Sequence, residues 1–138
     1  MNAELAGHLI AAAFAQARAD YGRPICVAVC DRYGFLIAFA GMDDAPVRSI
    51  QISQGKAYTS ARMGVDTDVF LQRLHANDLQ ASSFCDDRLT GLPGGCVVKT
   101  RTGVVTGAVG ISGLAPDEDV AIARALAALA SAAPAMNA

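Results

Sequence analysis

The residue best suited to chemistry in this sequence is Lys56. It lies in a predicted helix between two small residues, Gly55 and Ala57, so little shields its ammonium group. Such a lysine can bind a carboxylate, or act in catalysis where burial lowers its pKa. Asp43, which with Asp44 precedes the same helix, can serve as a general base or as the partner of Lys56. The alternatives are a lysine on a solvated helix face and an aspartate pair that caps the helix.

Glycines cluster in two segments further along the chain. Gly94 and Gly95 come just before one predicted strand, and Gly107, Gly110 and Gly113 recur at every third position of the next. Because glycine weakens a strand interior, this pattern indicates the close approach of a ligand, a subunit or another part of the backbone. The spacing lies within a strand and is followed by an acidic helix start, so we do not interpret it as a dinucleotide-binding loop.

The four cysteines give no metal-binding spacing. Cys96 directly follows the glycine pair, where its thiol can be a nucleophile, a ligand or a small apolar filler. Cys26 and Cys30 lie in one predicted strand, roughly 13 Å apart, too far to form a disulfide or to share a metal ion. The sequence leaves open whether Cys85 and Cys96 meet.

A small set of elements must position these residues. Residues 76–93 are predicted to form a loop, in which a fifth strand could occupy 79–84. The order of the other elements predicts an α+β fold, an antiparallel sheet covered by helices, in a single domain at 1–138. Periodicity and turn residues predict helices at 3–20, 47–63, 67–75 and 117–132, and strands at 25–30, 35–40, 96–100 and 104–112.

Composition narrows the choice of partners. Of the 138 residues, 53% are hydrophobic and only 17% are charged, which favours a homo-oligomer whose subunits cover apolar surface. The net charge of −2, without a run of lysine or arginine, gives no footprint for nucleic acid. No apolar run approaches the roughly 20 residues of a membrane span. The start of the chain lacks the pattern of a signal peptide, so a cytoplasmic location is expected.

Taken in order, several motifs of the chain resemble the GlcG/HbpS-like family, which includes the C-terminal domain of PduO-type proteins. Asp117 and Asp119 also match the acidic start of that family's last helix. The resemblance covers most of the chain. The matching segments are Val27–Gly34, Met42–Ala45, Lys56–Thr59, Gly94–Gly95 and Gly107–Gly113.

The resemblance implies a profilin-like domain with a sheet of four to five strands, which assembles into dimers or larger oligomers. It also implies heme binding, which some members show, while others are linked to catabolic or cobalamin-related genes. Two positions depart from the family pattern. Gly41 stands where the family usually has arginine, and Cys96 and Val97 stand where it has an apolar residue and then proline.

If heme is the ligand, the sequence offers few imidazoles to hold its iron. His8 and His75 are the only histidines, and the former lies in a predicted helix while the latter lies at a helix end. Met42, Tyr58 and Cys96 are alternative iron ligands.

Three functional hypotheses follow. The first is a small-molecule-binding protein with heme or another tetrapyrrole as ligand. The second is a tautomerase, deaminase or hydrolase acting on a small carboxylate of a catabolic pathway, with Asp43, Lys56 and Cys96 as catalytic residues. The third is an accessory protein whose glycine faces serve assembly alone. The binding site predicted under the first hypothesis comprises Asp43, Lys56, Gly94, Gly95, Cys96 and Gly110.

Overall fold

The computed structural model describes residues 1–133 and has the predicted order of helices and strands. Helix α1 continues into a π-helical turn, Ala17–Tyr21, and ends at Gly22, which is left-handed with a φ of 62°. The elements are α1 (Ala3–Gln16), β1 (Cys26–Asp31), β2 (Leu36–Gly41), α2 (Arg48–Met63), α3 (Thr67–Ala76), β3 (Gly95–Lys99), β4 (Val105–Ser112) and α4 (Pro116–Ala132).

The strands form one antiparallel sheet in the order β2-β1-β4-β3. Strand β1 is central, which explains why its sequence is a continuous apolar run rather than an alternating one. The fifth strand considered at 79–84 does not form, because Ala81–Phe84 make a 3₁₀ turn that Gln80 caps. Within residues 1–133 the sheet therefore has four strands, and the α+β prediction is confirmed.

The two faces of the sheet carry different layers. Helices α1 and α4 cover one face with a core of large aliphatic side chains, such as Leu9, Val27 and Ile122. Helix α2 covers the other face through small residues, among them Ala57 against Ala108. Small side chains let this helix lie close to the sheet.

The described residues also bear on two simpler predictions. None of the helices between residues 1 and 133 is long and apolar enough to cross a membrane. All four cysteines are free thiols, so Cys26 and Cys30 are unpaired as predicted and Cys85 is not bonded to Cys96.

Candidate functional site

The predicted glycine-lined site is filled by helix α2. Gly95 and Gly110 face each other across β3 and β4 and together leave a bare patch on the sheet. A Cβ atom at Gly110 would overlap the carbonyl oxygen of Ser53, and one at Gly95 would overlap that of Lys56. Both glycines therefore allow the α2 backbone to lie against the sheet, which is close packing within the chain rather than an open floor for a ligand.

Lys56 is buried at the edge of this patch. Its Nζ donates to the carbonyl oxygen of Ile111 at 2.7 Å and to Oδ2 of Asp119 at 3.1 Å. Both charged side chains are only 4% exposed. A Cβ atom at Gly94, whose φ is 123°, would lie 2.8 Å from the Lys56 Nζ, so glycine is required there too. The ion pair joins α2 to the first turn of α4 across the end of β4.

Burial makes the largest contribution to the pKa shifts of both Lys56 and Asp119. It lowers the pKa of the Lys56 ammonium, and the negative charge of Asp119 opposes that shift. It raises the pKa of the Asp119 carboxyl, against the effect of Lys56 and of the Leu114 backbone N–H, which donates to Oδ1 at 3.1 Å. Two of the three Lys56 N–H donors are used in these bonds and the side chain is almost fully buried, so its arrangement is that of a structural pair.

The other residues of the predicted catalytic set lie elsewhere. Asp43 is exposed in the turn between β2 and α2, and the carboxylate that pairs with Lys56 is Asp119. Cys96 follows Gly95 along β3 and therefore points to the opposite face of the sheet, into the core under α1 and α4. Burial, with a further contribution from Asp66, raises the pKa of the Cys96 thiol. The structure does not bring Asp43, Lys56 and Cys96 together.

The iron ligands considered from the sequence are also dispersed. His8 and His75 are exposed on α1 and α3. The Met42 sulfur accepts from the Ile25 backbone N–H at 3.4 Å, and the Tyr58 hydroxyl donates to Asp86 at 2.6 Å. Residues 1–133 contain no group of three or more His, Cys, Asp or Glu side chains able to hold a metal ion.

A large cleft lies at the end of the sheet where both hairpins turn. It encloses about 1010 Å³ between the start of α1, the β1–β2 turn, the β3–β4 hairpin and the end of α4. We call it the basic cleft and define it by Met1, Leu5, Arg32, Tyr33, Val98 and Arg101, together with Lys99, Val104 and Val105.

The basic cleft combines an apolar wall with positive charge. Leu5, Val104 and Val105 supply aliphatic surface, above the buried Val98. The cations are Arg32, Lys99 and Arg101. Among the ion pairs of the described chain, none involves these three side chains. Such a lining suits a ligand with an apolar body and carboxylate groups.

One acidic residue, Asp31, also lines the basic cleft, but its carboxylate is engaged. Its Oδ1 accepts from the backbone N–H groups of Tyr33 at 2.8 Å and Phe35 at 3.0 Å. Both bonds lie within the β1–β2 turn. The carboxylate therefore shapes the turn that carries Arg32 and Tyr33.

A second, smaller cleft has the opposite character. It encloses about 550 Å³ beside Tyr58 and is lined by Ser82, Cys85, Asp86 and Asp87. Asp86 accepts the hydroxyl of Tyr58, and hydrogen bonding to that group lowers the pKa of the Asp86 carboxyl. With two carboxylates in its lining, this cleft is a poor match for a carboxylate-bearing ligand.

Sequence reasoning missed Arg32, Tyr33, Lys99 and Arg101. They lie in or beside two hairpin turns that are 66 or more positions apart in the chain. The pairing of Asp31 with Gly107 brings the end of β1 beside the start of β4, so both turns reach the same edge of the sheet. The signal available in the sequence was a cationic residue in each hairpin turn, and its meaning depends on the strand order.

Helix α2 packs against Gly95 and Gly110 of the four-stranded antiparallel sheet, and together these elements make a profilin-like α+β domain. Residues 1–128 match the profile of the family described as haem degrading protein HbpS-like, and the chain belongs to that family. No curated protein matches the sequence at a significant level.

Solved structures with the same fold agree with this assignment. Klebsiella pneumoniae protein ORFY is 25% identical, with a TM-score of 0.88 over 97% of this chain and 92% of its own. A double mutant of Streptomyces reticuli HbpS is 28% identical, with a TM-score of 0.83 over 94% and 86%. A complex of PduOC with heme, at 24% identity and a TM-score of 0.80 over 93% of each chain, shares the fold.

Proposed function

We propose that this protein binds heme or a closely related tetrapyrrole in the basic cleft. The observation that carries the proposal is an aliphatic wall combined, at one edge of the sheet, with cations that make no ion pair among residues 1–133. The family description and the PduOC complex with heme support the choice of ligand. The volume of about 1010 Å³ is at the upper end of the range typical of small-molecule sites.

The residues present fit the two chemical parts of heme. Leu5, Val104 and Val105 would pack against the apolar macrocycle, and Arg32 and Arg101 would bind the propionate carboxylates. Guanidinium groups suit this role because they bind carboxylates through two parallel hydrogen bonds. Heme, when bound, supplies an iron for ligand binding or electron transfer.

The direct test is an absorbance titration of the purified protein with hemin and, separately, with metal-free protoporphyrin. Both compounds carry the macrocycle and the two propionates, so we expect saturable binding of both. Lysozyme at equal concentration serves as the negative control. Failure of both porphyrins to saturate the protein would contradict the proposal.

The enzyme hypothesis stays a prediction, and its three proposed catalytic residues do not lie together in the structure. Lys56 is paired with Asp119, Cys96 lies on the far face of the sheet, and Asp43 is in solvent. The catabolic setting and the cytoplasmic location likewise stay predictions.

We also propose that the chain forms homo-oligomers, as its composition predicts. Strand β2 is an edge strand, and the adjacent Phe35 and Leu36 are 63% and 50% exposed. Edge strands with exposed apolar residues commonly pair with another chain. Analytical ultracentrifugation should show an oligomeric wild type and a Leu36→Lys variant of lower mass. A monomeric wild type would contradict the proposed oligomer.

A further inference from the structure

We infer that Tyr33 is the protein ligand of the iron when heme occupies the basic cleft, an inference that rests on the proposed function. Tyr33 lines the cleft, and its side chain is 55% exposed. Tyrosine holds heme iron in some proteins through its phenolic oxygen. Sequence reasoning did not single out this residue.

The composition of the cleft leaves few alternatives. The side chains that commonly hold heme iron in proteins are those of His, Cys, Met and Tyr. Of the described residues that line the basic cleft, only Met1 and Tyr33 belong to these types. Neither histidine and none of the four cysteines is among them.

Met1 is the weaker of the two candidates because its side chain already packs against the sheet. A Cβ atom at Gly107 would lie 3.0 Å from the Met1 Cβ and 3.3 Å from its Cε. The side chain also packs against the core under α1 and α4. To ligate iron, the thioether would have to leave these contacts, whereas the Tyr33 phenol would have none to break among the hydrogen bonds of the described residues.

The backbone of Tyr33 is fixed from both sides. Its N–H donates to Asp31 Oδ1 at 2.8 Å, and its carbonyl oxygen accepts from Arg62 Nε at 2.6 Å. The next residue, Gly34, has a φ of 94° and lies so close to Tyr58 that a Cβ atom would be 2.9 Å from that ring. These contacts hold the backbone of the turn that carries the phenol.

Arg32 restrains the ring itself. Its guanidinium carbon lies 4.8 Å from the centroid of the Tyr33 ring, within the range of a cation–π contact. Tyr58 makes the contrast clear, since it is 5% exposed and its hydroxyl is bonded to Asp86. Tyr58 is therefore a packing residue, whereas Tyr33 is accessible at the cleft.

Ligation requires no change of oxidation state. In the complex, the proton of the Tyr33 phenol would go to the hydroxide that ferric hemin carries in water, and that hydroxide would leave as water. The phenolate oxygen of Tyr33 would take its place on the iron, so that one O–H bond and one iron–oxygen bond would break while one of each would form, and the iron would stay ferric. The site therefore needs no other reactant besides hemin.

The test compares wild type, Tyr33→Phe and Tyr21→Phe in titrations with hemin and with metal-free protoporphyrin. Tyr21 lies in the π-helical turn and is not part of the cleft, so its variant is the matched control. We expect Tyr33→Phe to lose at least about tenfold in affinity for hemin. The variant should keep its affinity for metal-free protoporphyrin, and Tyr21→Phe should match the wild type with both compounds.

A spectroscopic readout separates ligation from packing. Resonance Raman spectra of the hemin complex should show iron–phenolate bands in the wild type that disappear in Tyr33→Phe. Unchanged hemin affinity and spectra in Tyr33→Phe would overturn the inference but leave the proposed function intact, as would an equal loss of affinity for both porphyrins. Failure of the wild type to bind either compound would overturn both.

Discussion

The region around Lys56 and the basic cleft both contain cationic side chains, but these side chains differ in burial and in ion pairing. Lys56 is buried, paired with Asp119 and enclosed by glycines that admit helix α2. In the cleft, Arg32, Lys99 and Arg101 are exposed and make no ion pair among the described residues. The comparison teaches that a charged residue in a family-like motif can hold the fold together, while the charged residues of the two hairpin turns stay exposed.

The largest effect should come from filling the space under α2. In Gly110→Val the added atoms would overlap the backbone of Ser53 and Ala57, which cannot rotate aside as a side chain can. We expect a loss of about 4 kcal/mol or more in the free energy of unfolding, or failure to fold. Urea denaturation measures it, with Gly7→Val as control because nothing lies within 4 Å of a Cβ there. A fully stable Gly110→Val protein would show that the glycine patch is not a packing surface.

The next effect should come from breaking the buried pair. Lys56→Met leaves Asp119 buried without its cation, and we expect a loss of about 3 kcal/mol in the free energy of unfolding. Lys99→Met, at an exposed lysine, should change little. The double variant Lys56→Met/Asp119→Leu should regain most of the loss, because no uncompensated charge remains. If Lys56→Met is as stable as the wild type but no longer binds porphyrin, the structural assignment of Lys56 is wrong.

A smaller effect should follow from reversing one charge in the cleft. Arg101→Glu replaces attraction for a propionate by repulsion, and we expect porphyrin affinity to fall about tenfold, which corresponds to about 1.4 kcal/mol. Arg73→Glu makes the same substitution at an exposed position on α3 and should leave affinity unchanged. The titration should be run at low ionic strength, where exposed charges are least screened. If Arg101→Glu and Arg73→Glu have the same porphyrin affinity, the cleft is not the binding site.

The smallest effect concerns pH. Burial raises the pKa of Asp119 in the folded protein above its ordinary value of 3.8. Between the unfolded and the folded pKa of Asp119, folding takes up a proton. The contribution of this carboxyl to stability is therefore greatest below pH 3.8 and declines as the pH rises through the folded pKa. Compared with Lys56→Met/Asp119→Leu, the wild type should lose stability as pH rises from about 4. A parallel pH dependence in the two proteins would contradict the raised pKa.

Much of the fold could be predicted from the sequence because its signals are local. The apolar run at Ile25–Cys30 and the turn at Gly34 identify the central strand and its hairpin without reference to the rest of the chain. The sequence also indicated that the backbone is closely approached at Gly110. It could not tell whether a ligand or helix α2 makes that approach, because glycine serves both.

The candidate site was much harder to predict because it depends on strand order and on partners distant in sequence. Lys56 and Asp119 are separated by 63 positions, and no periodicity links them. Arg32 and Arg101 become neighbours of one cleft only because β1 pairs with β4. Cys96 was expected at the site, yet the alternation of side chains along β3 places it on the face opposite Gly95.

The most direct test of the account is to map the binding surface by NMR, using metal-free protoporphyrin so that no paramagnetic iron broadens the signals. Backbone amide shifts should concentrate at the basic cleft, on residues such as Tyr33, Val98 and Thr106. Amides near Lys56, Gly94 and Gly110 should move little. Shifts centred on Lys56 and the glycine patch, with the cleft unperturbed, would contradict the assignment of the cleft as the binding site.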